Sequence, residues 1–177
     1  MRTIRSTTIL GVRIKNKIAL GGDGQVTMGD MKMKSKAVKV RGFYDGKVLS
    51  GFAGAAADAM ALFEKFEVKL NDANGNLQRA VVDMAKEWRM DKMLKDLDAL
   101  LAIMDSKSSY LLSGSGDVIE PDDQVISIGS GSGFAVSAAR AFIKAGEMNP
   151  SKVVRQSLKI AADLCIYTND NITIIEP

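Results

Sequence analysis

The order in which the apolar periods follow one another constrains this chain more than any other feature. Residues 7–14 alternate and are rich in β-branched side chains, so they read as a strand. Lys15-Asn16 supplies a tight turn into a second strand at 17–20. Residues 26–28 extend this sheet, and 36–41 and 47–53 read as further strands joined at Asp45-Gly46. The period then changes. Ala59, Leu62, Phe63, Phe66 and Leu70 fall on one face of a helix. Leu77, Ala80, Val81, Met84 and Trp88 repeat that spacing in a second helix running to about Leu97, with the helix-breaking stretch "NDANGN" between the two. Strands return at 100–104, 109–113 and 125–128. A helix follows over about 134–145, and Asn149-Pro150 then opens another as N-cap and first helical residue. Val154, Leu158, Ala161 and Cys165 share its face, and 171–175 is a last strand. Strands, two helices, strands, two helices and a strand is not βαβ alternation. It predicts antiparallel sheet layers with helices outside, an α+β sandwich. The 177 residues suit one domain, which at this size buries roughly 70% of the surface its unfolded chain exposes.

What the chain lacks narrows its chemistry. It has no histidine, so triads that use an imidazole base are excluded, as are histidine metal sites. A single cysteine, Cys165, forms no internal disulfide and no thiolate zinc site, and it fits a reducing compartment. A catalytic base here is a carboxylate, a lysine, a tyrosine or the terminal amine. The first residues have no apolar core of a secretory signal, and no run is long enough to span a bilayer, so a membrane role is not expected. The net charge of +3 does not by itself point to nucleic acid.

Three stretches stand out. "GSGSG" at 129–133 lies between a strand and a helix, where phosphates bind. The third glycine of a dinucleotide fingerprint would fall on Phe134, and no Walker lysine follows. It reads as a flexible turn whose serines can supply hydroxyls. "KMKSKAVKVR" at 32–41 carries five positive charges, with Lys39 and Arg41 expected on one strand face and Val38 and Val40 on the other. Without aromatic stacking partners it reads as a solvated or inter-subunit surface rather than a nucleic-acid site. Asp23, between glycines, has the look of a turn residue.

Taken in order, "TTI" at 7–9, "GGDGQVTMG" at 21–29, "KVLSGFAG" at 47–54, "EWRMDKML" at 87–94, "SGSGDVIEPDD" at 113–123, "ISIGSGSG" at 126–133 and "YTNDNITI" at 167–174 closely resemble the HslV (ClpQ) family, the bacterial proteasome-like threonine peptidases. The resemblance covers essentially everything from Thr7 to Glu176. It implies a four-layer αββα sandwich, the N-terminal nucleophile hydrolase fold. It also implies a propeptide at 1–6, a single peptidase domain at 7–177, and Thr7 as first residue of the mature chain. Asp23 and Lys39 match the charged pair beside the nucleophile, and Gly51 the backbone N–H of the oxyanion hole. Ser130 matches the serine that supports the terminal amine. The segment of Ala162, Cys165 and Thr168 resembles a sodium site built from main-chain carbonyls. Two stacked six-membered rings, a homododecamer, are implied, together with the HslU AAA+ ATPase hexamer that unfolds protein substrates in the cytoplasm. This chain has no ATP-binding motif of its own. Departures from the family pattern are Ser132 and Ala162 where glycine is usual, and alanines at 55–57. Ser6 directly precedes Thr7, and a cut one residue earlier would make Ser6 the nucleophile. The rival reading is a catalytically silent ring subunit of the same fold.

Overall fold

Strand β1 (Thr8–Ile14) is covered on both faces, and that fixes the architecture around it. Ile9 turns toward a second sheet while Leu10 and Val12 turn toward a helix pair. A strand apolar on both sides belongs inside a stack of layers. The structure, a computed structural model, describes residues 7–54, 56–91 and 99–177, with only the backbone at 56, 57 and 59.

β1 pairs antiparallel with β2 (Lys17–Gly22) across the Lys15-Asn16 turn, where Lys15 has a positive φ. β10 (Val125–Gly129) lies on the other side of β1, and β11 (Thr173–Ile175) closes the sheet beyond β2. The second sheet has the order β5 (Val40–Phe43), β6 (Val48–Ala53), β7 (Leu100–Met104), β8 (Ser109–Ser113) and β9 (Val118–Ile119). The two sheets meet through Ile9, Ile18 and Leu20 on one side and Leu49, Ala102 and Met104 on the other.

Helices α1 (Ala56–Asp72) and α2 (Leu77–Met90) cover the second sheet, and α3 (Ser132–Lys144) and α4 (Pro150–Leu164) cover the first. Leu62, Phe63, Phe66, Leu70, Met84 and Trp88 drive the α1–α2 layer into Phe43, Phe52 and Leu101, with three edge-to-face ring pairs. Each such side chain stabilises by roughly 1.5–3 kcal/mol on burial. Asn149 caps α4 through its side chain, with Pro150 in the first turn. These layers are the expected αββα sandwich. Among the described residues no helix is long and apolar enough to cross a membrane.

Two strand expectations are corrected. Residues 26–28 do not extend the first sheet: β3 (Val26–Met28) pairs with β4 (Met31–Lys34) in a separate two-stranded hairpin. Residues 36–39 are not strand either, for the ladder begins at Val40. Lys39 and Val40 are both buried, whereas Val38 and Arg41 are exposed, so the expected face pairing of Lys39 with Arg41 fails. The cause is an inward ion pair at Lys39 described below. The propeptide at 1–6, the helical extension from 92 to 97 and the side chain of Ala59 lie outside the described residues.

Candidate active site

The ends of three segments converge on the start of β1. β2 ends at Gly22 and delivers Asp23, the loop after β4 delivers Lys39, and the turn after α4 delivers Thr168 and Asn169. Thr7, Thr8, Asp23, Gln25, Lys39, Thr168 and Asn169 are all buried polar groups. Buried polar atoms are costly unless bonded, so their partners define the site.

Asp23 is the hub. Its Oδ1 accepts from the Thr8 N–H at 2.7 Å and from Lys39 Nζ at 2.9 Å. Its Oδ2 accepts from the backbone N–H of Gln25 at 2.9 Å and of Asn169 at 3.3 Å. Lys39 Nζ also donates to the Gln25 carbonyl at 2.6 Å. Burial pushes the Lys39 ammonium below its ordinary range, and the Asp23 charge and hydrogen bond draw it part of the way back. An ammonium so poised is easier to neutralise than a surface lysine and stays oriented by two acceptors.

The Thr7–Thr8 peptide is clamped at both ends. Its N–H goes to Asp23, and its carbonyl accepts from the Ser130 N–H at 2.8 Å. Gly129 makes this approach possible. It has φ +94°, and a Cβ there would run into the Thr7 carbonyl. Next along, the Thr8 hydroxyl bonds the Thr168 hydroxyl at 2.7 Å and accepts from the Gly131 N–H at 2.9 Å.

Thr7, Asp23, Lys39 and Ser130 are therefore brought together, though not all as expected. Ser130 reaches Thr7 through its backbone, and its side chain is exposed. Gly51 is overturned as an oxyanion donor. It sits in mid-strand opposite Val40 on β5 and Ala102 on β7. The Phe52 N–H donates to the Lys39 carbonyl on the β5 side. Adjacent amides of a strand point oppositely, so the Gly51 N–H is directed at β7 and taken up by that ladder. Ile9 and Leu20 cover the glycine, leaving no room for a substrate.

The segment expected to hold sodium is the C-terminal end of α4. Cys165 is its C-cap, and the Cys165 carbonyl accepts from the Thr168 N–H at 3.0 Å. Among the described residues no cluster of metal-ligating side chains occurs, so any ion here relies on main-chain oxygens.

Thr8, Gln25 and Asn169 did not emerge from the sequence as site residues. Asn169 accepts from the Gly24 N–H at 3.1 Å and donates to the Ser35 carbonyl at 2.9 Å, and Gln25 donates to the Ile166 carbonyl at 2.8 Å. These bonds span more than a hundred residues, and no local pattern announces them.

Comparison with known proteins fits this geometry. The family model described as "Proteasome subunit" matches residues 4–176. The crystal structure of eukaryotic HslV from Trypanosoma brucei superposes with a TM-score of 0.88 at 40% identity, covering 96% of this chain and 99% of that one. Two structures of BPH from Thiobacillus denitrificans match at 19% and 18% identity with TM-scores of 0.74 and 0.69. The first of these is in complex with epoxomicin; each match covers 96% of this chain and 97% of that one. At such identities they speak to the fold alone. With a family model spanning nearly its whole length and a 40% identical relative covered end to end, this chain belongs to the proteasome subunit family, on its HslV-like side.

Proposed function

We propose that this chain is the threonine-type endopeptidase subunit of an ATP-dependent cytoplasmic protease, with Thr7 as nucleophile once residues 1–6 are removed. The observation that carries the reading is the clamped Thr7–Thr8 peptide, held by Asp23 and Ser130 beside a buried, desolvated Lys39. A threonine hydroxyl needs an adjacent base, and a freed α-amine at Thr7 serves. That amine titrates near ~7.7–8.0 when unperturbed, and the Lys39 charge holds it toward the neutral form.

In this reading the Thr7 hydroxyl proton passes to the Thr7 amine as the oxygen attacks the scissile carbonyl. The resulting ammonium protonates the leaving amine, and an ester on Thr7 remains. Water then hydrolyses the ester with the same amine as base. Asp23 fixes Lys39 and the backbone of Thr8. With Gly51 inside the ladder, the donor to the oxyanion is assigned to the Gly54 N–H. It is the first amide beyond the last β6–β7 pair, Ala53 with Leu100. Such a donor contributes about 2.7–4 kcal/mol.

A sodium ion is proposed at the end of α4, because the last-turn carbonyls of a helix lack intrahelical partners and a helix C-terminus favours a cation. The carbonyls of Ala162, Cys165 and Thr168 would hold it. When bound it supplies positive charge that braces the turn carrying Thr168 against Thr8. A HslU-type ATPase hexamer, a homododecamer of two rings and protein substrates complete the proposal. The lone Cys165, free and buried, suits the reducing cytoplasm.

The test compares the full-length chain with one that exposes Thr7 directly from a cleavable fusion, both verified by intact mass. Peptide turnover is expected only with Thr7 at the terminus, lost in Thr7→Ala, and raised by HslU with ATP. Equal turnover from a chain shown to retain residues 1–6 refutes the terminal-amine mechanism. No response to HslU and ATP refutes the partnership.

A further inference from the structure

Lys39 is carried by a stretch with little regular structure to place it. Residues 35–39 lie between β4 and β5 and belong to no strand. They run instead against the loop that carries Asp23. The Ala37 N–H donates to the Gly24 carbonyl at 2.9 Å. The two backbones are so close that a Cβ on Gly24 would run into the Ser35 carbonyl. An ammonium that must stay within hydrogen-bond reach of Asp23 and Gln25 is only as well placed as this contact.

A side chain from the far end of the sequence locks the contact. Asn169 lies in the turn after α4 and is 8% exposed. Its Oδ1 accepts from the Gly24 N–H at 3.1 Å and from the Asn171 N–H at 3.2 Å. Its Nδ2 donates to the Ser35 carbonyl at 2.9 Å, and its own backbone N–H reaches Asp23 Oδ2 at 3.3 Å. A carboxamide suits this place because it offers an acceptor on one side and donors on the other. A carboxylate would set oxygen against the Ser35 carbonyl and a second negative charge beside Asp23. The bonds of the carboxamide end on the two loops, not on Lys39 Nζ, so Asn169 acts on the ammonium by placing the loops.

We propose that Asn169 is a positioning residue for Lys39. Its carboxamide staples the 35–39 stretch to the Asp23 loop and so fixes where the ammonium stands beside the Thr7–Thr8 peptide. The same turn holds the Thr8 hydroxyl through Thr168 at 2.7 Å. One short segment therefore places both the strand that begins at the nucleophile and the charge that serves it. Losing the staple leaves the buried Gly24 N–H without its acceptor and frees the Lys39 loop to shift. The chemical step slows, while substrate binding is little changed. The inference rests on the reading of Lys39 as the charged group of a threonine peptidase.

The experiment places Asn169→Ala and Asn169→Asp in the chain that exposes Thr7, each alone and each together with Lys39→Ala. Peptide turnover is measured with HslU and ATP present, and a thermal melt and light scattering confirm that each variant is folded and keeps wild-type mass. Each single Asn169 variant is expected to lower kcat at least about tenfold, within the ~10²-fold that a misplaced group can cost, with KM near wild type. Asn169→Asp keeps the acceptor for Gly24, so its loss isolates the tie to Ser35. In the Lys39→Ala background neither Asn169 change is expected to cost anything further, because the two residues act as one unit. The aspartate variant carries this cycle alone if the alanine variant does not fold. Additive losses, a raised KM with unchanged kcat, or wild-type kcat in a folded single variant overturns the proposal. Failure of both single variants to fold also overturns it, for Asn169 is then a structural residue. Turnover lost in Lys39→Ala but kept in the Asn169 variants refutes the positioning role alone. Turnover as fast in Lys39→Ala as in wild type refutes the functional reading beneath it.

Discussion

Two lysine–carboxylate clusters in this chain use the same chemistry to opposite ends. In the site, Lys39 meets Asp23 at 2.9 Å with both side chains nearly out of solvent. On the helical face opposite, Lys65 and Lys69 hold Glu87 at 2.8 and 2.6 Å, and Lys65 also reaches Asp91 at 3.2 Å, all partly exposed. The hydrogen bonds to Glu87 raise both outer lysines above their ordinary range. Desolvation lowers Lys39 despite an equally short partner. A buried ion pair often fails to regain the solvation it gives up, whereas a surface pair gives up little and gains little. The outer cluster therefore trims the join of α1 and α2. The inner pair is held against a cost, which is what a group kept for reactivity looks like.

The strongest way to break this contrast is to remove one member of each pair. Asp23→Ala leaves Lys39 and the N–H groups of Thr8, Gln25 and Asn169 without their acceptor. It is expected to destabilise the fold by about 3–5 kcal/mol in chemical denaturation. A loss below about 1 kcal/mol would show that the site is wetter than its burial indicates. Next in size is the effect on turnover. Lys39→Ala is expected to lower kcat by about 10²–10³, the usual loss of a preorganised electrostatic group, while Lys36→Ala and Lys65→Ala leave it near wild type. Equal losses at Lys36 and Lys39 would mean that the whole 32–41 run acts only as a charged surface.

The helical core was far easier to read in the sequence than either ion cluster. The face of α2 that packs on the second sheet is written in its helical spacing, and Leu77, Ala80, Val81, Met84 and Trp88 are buried as that spacing predicts. The Asn149-Pro150 start of α4 is equally local. Lys39 defeated the same reasoning because alternation assumes that charge points outward. Its inward turn depends on Asp23, sixteen residues earlier, and on Gln25. Ser130 and Gly51 were located by family resemblance, but which atom each presents depends on backbone geometry. At Ser130 the N–H faces Thr7, and at Gly51 the N–H faces β7. Residue type at a matched position does not carry that information.

A smaller effect lies in the pH dependence. Lys39 is depressed in the fold, so native chains release its proton at a pH where unfolded chains still hold theirs. Between the lowered value and the ordinary 10.5, the unfolded state binds more protons, and stability from this group rises with pH. Catalysis that needs the ammonium runs the other way. The kcat profile is expected to fall on its alkaline side at a pH below 10.5, while Lys39 contributes no loss of stability there. A profile flat to pH 10.5 in a chain that stays folded would remove the ammonium from the mechanism.

The smallest effect belongs to the outer cluster and fixes the other end of the comparison. Glu87 is lowered in the fold by its hydrogen bonds to Lys65 and Lys69. Its contribution to stability is present above the ordinary carboxylate value of 4.5 and is lost as pH falls through the lowered one. The paired lysines, being raised, contribute below 10.5 and lose that contribution as pH rises past it. Across neutral pH the cluster is fully charged, yet solvent reaches it. Glu87→Gln should therefore cost only about 0.2–1 kcal/mol, read from the urea midpoint at pH 7. The cost should shrink further in about 1 M salt, where the screening length is near 3 Å. Asp23→Ala, measured beside it, should keep its full cost in the same salt, because ions cannot enter between Lys39 and Asp23. If both costs fall together on adding salt, the Lys39–Asp23 pair is solvated, and the contrast between a reactive inner pair and a trimming outer one fails.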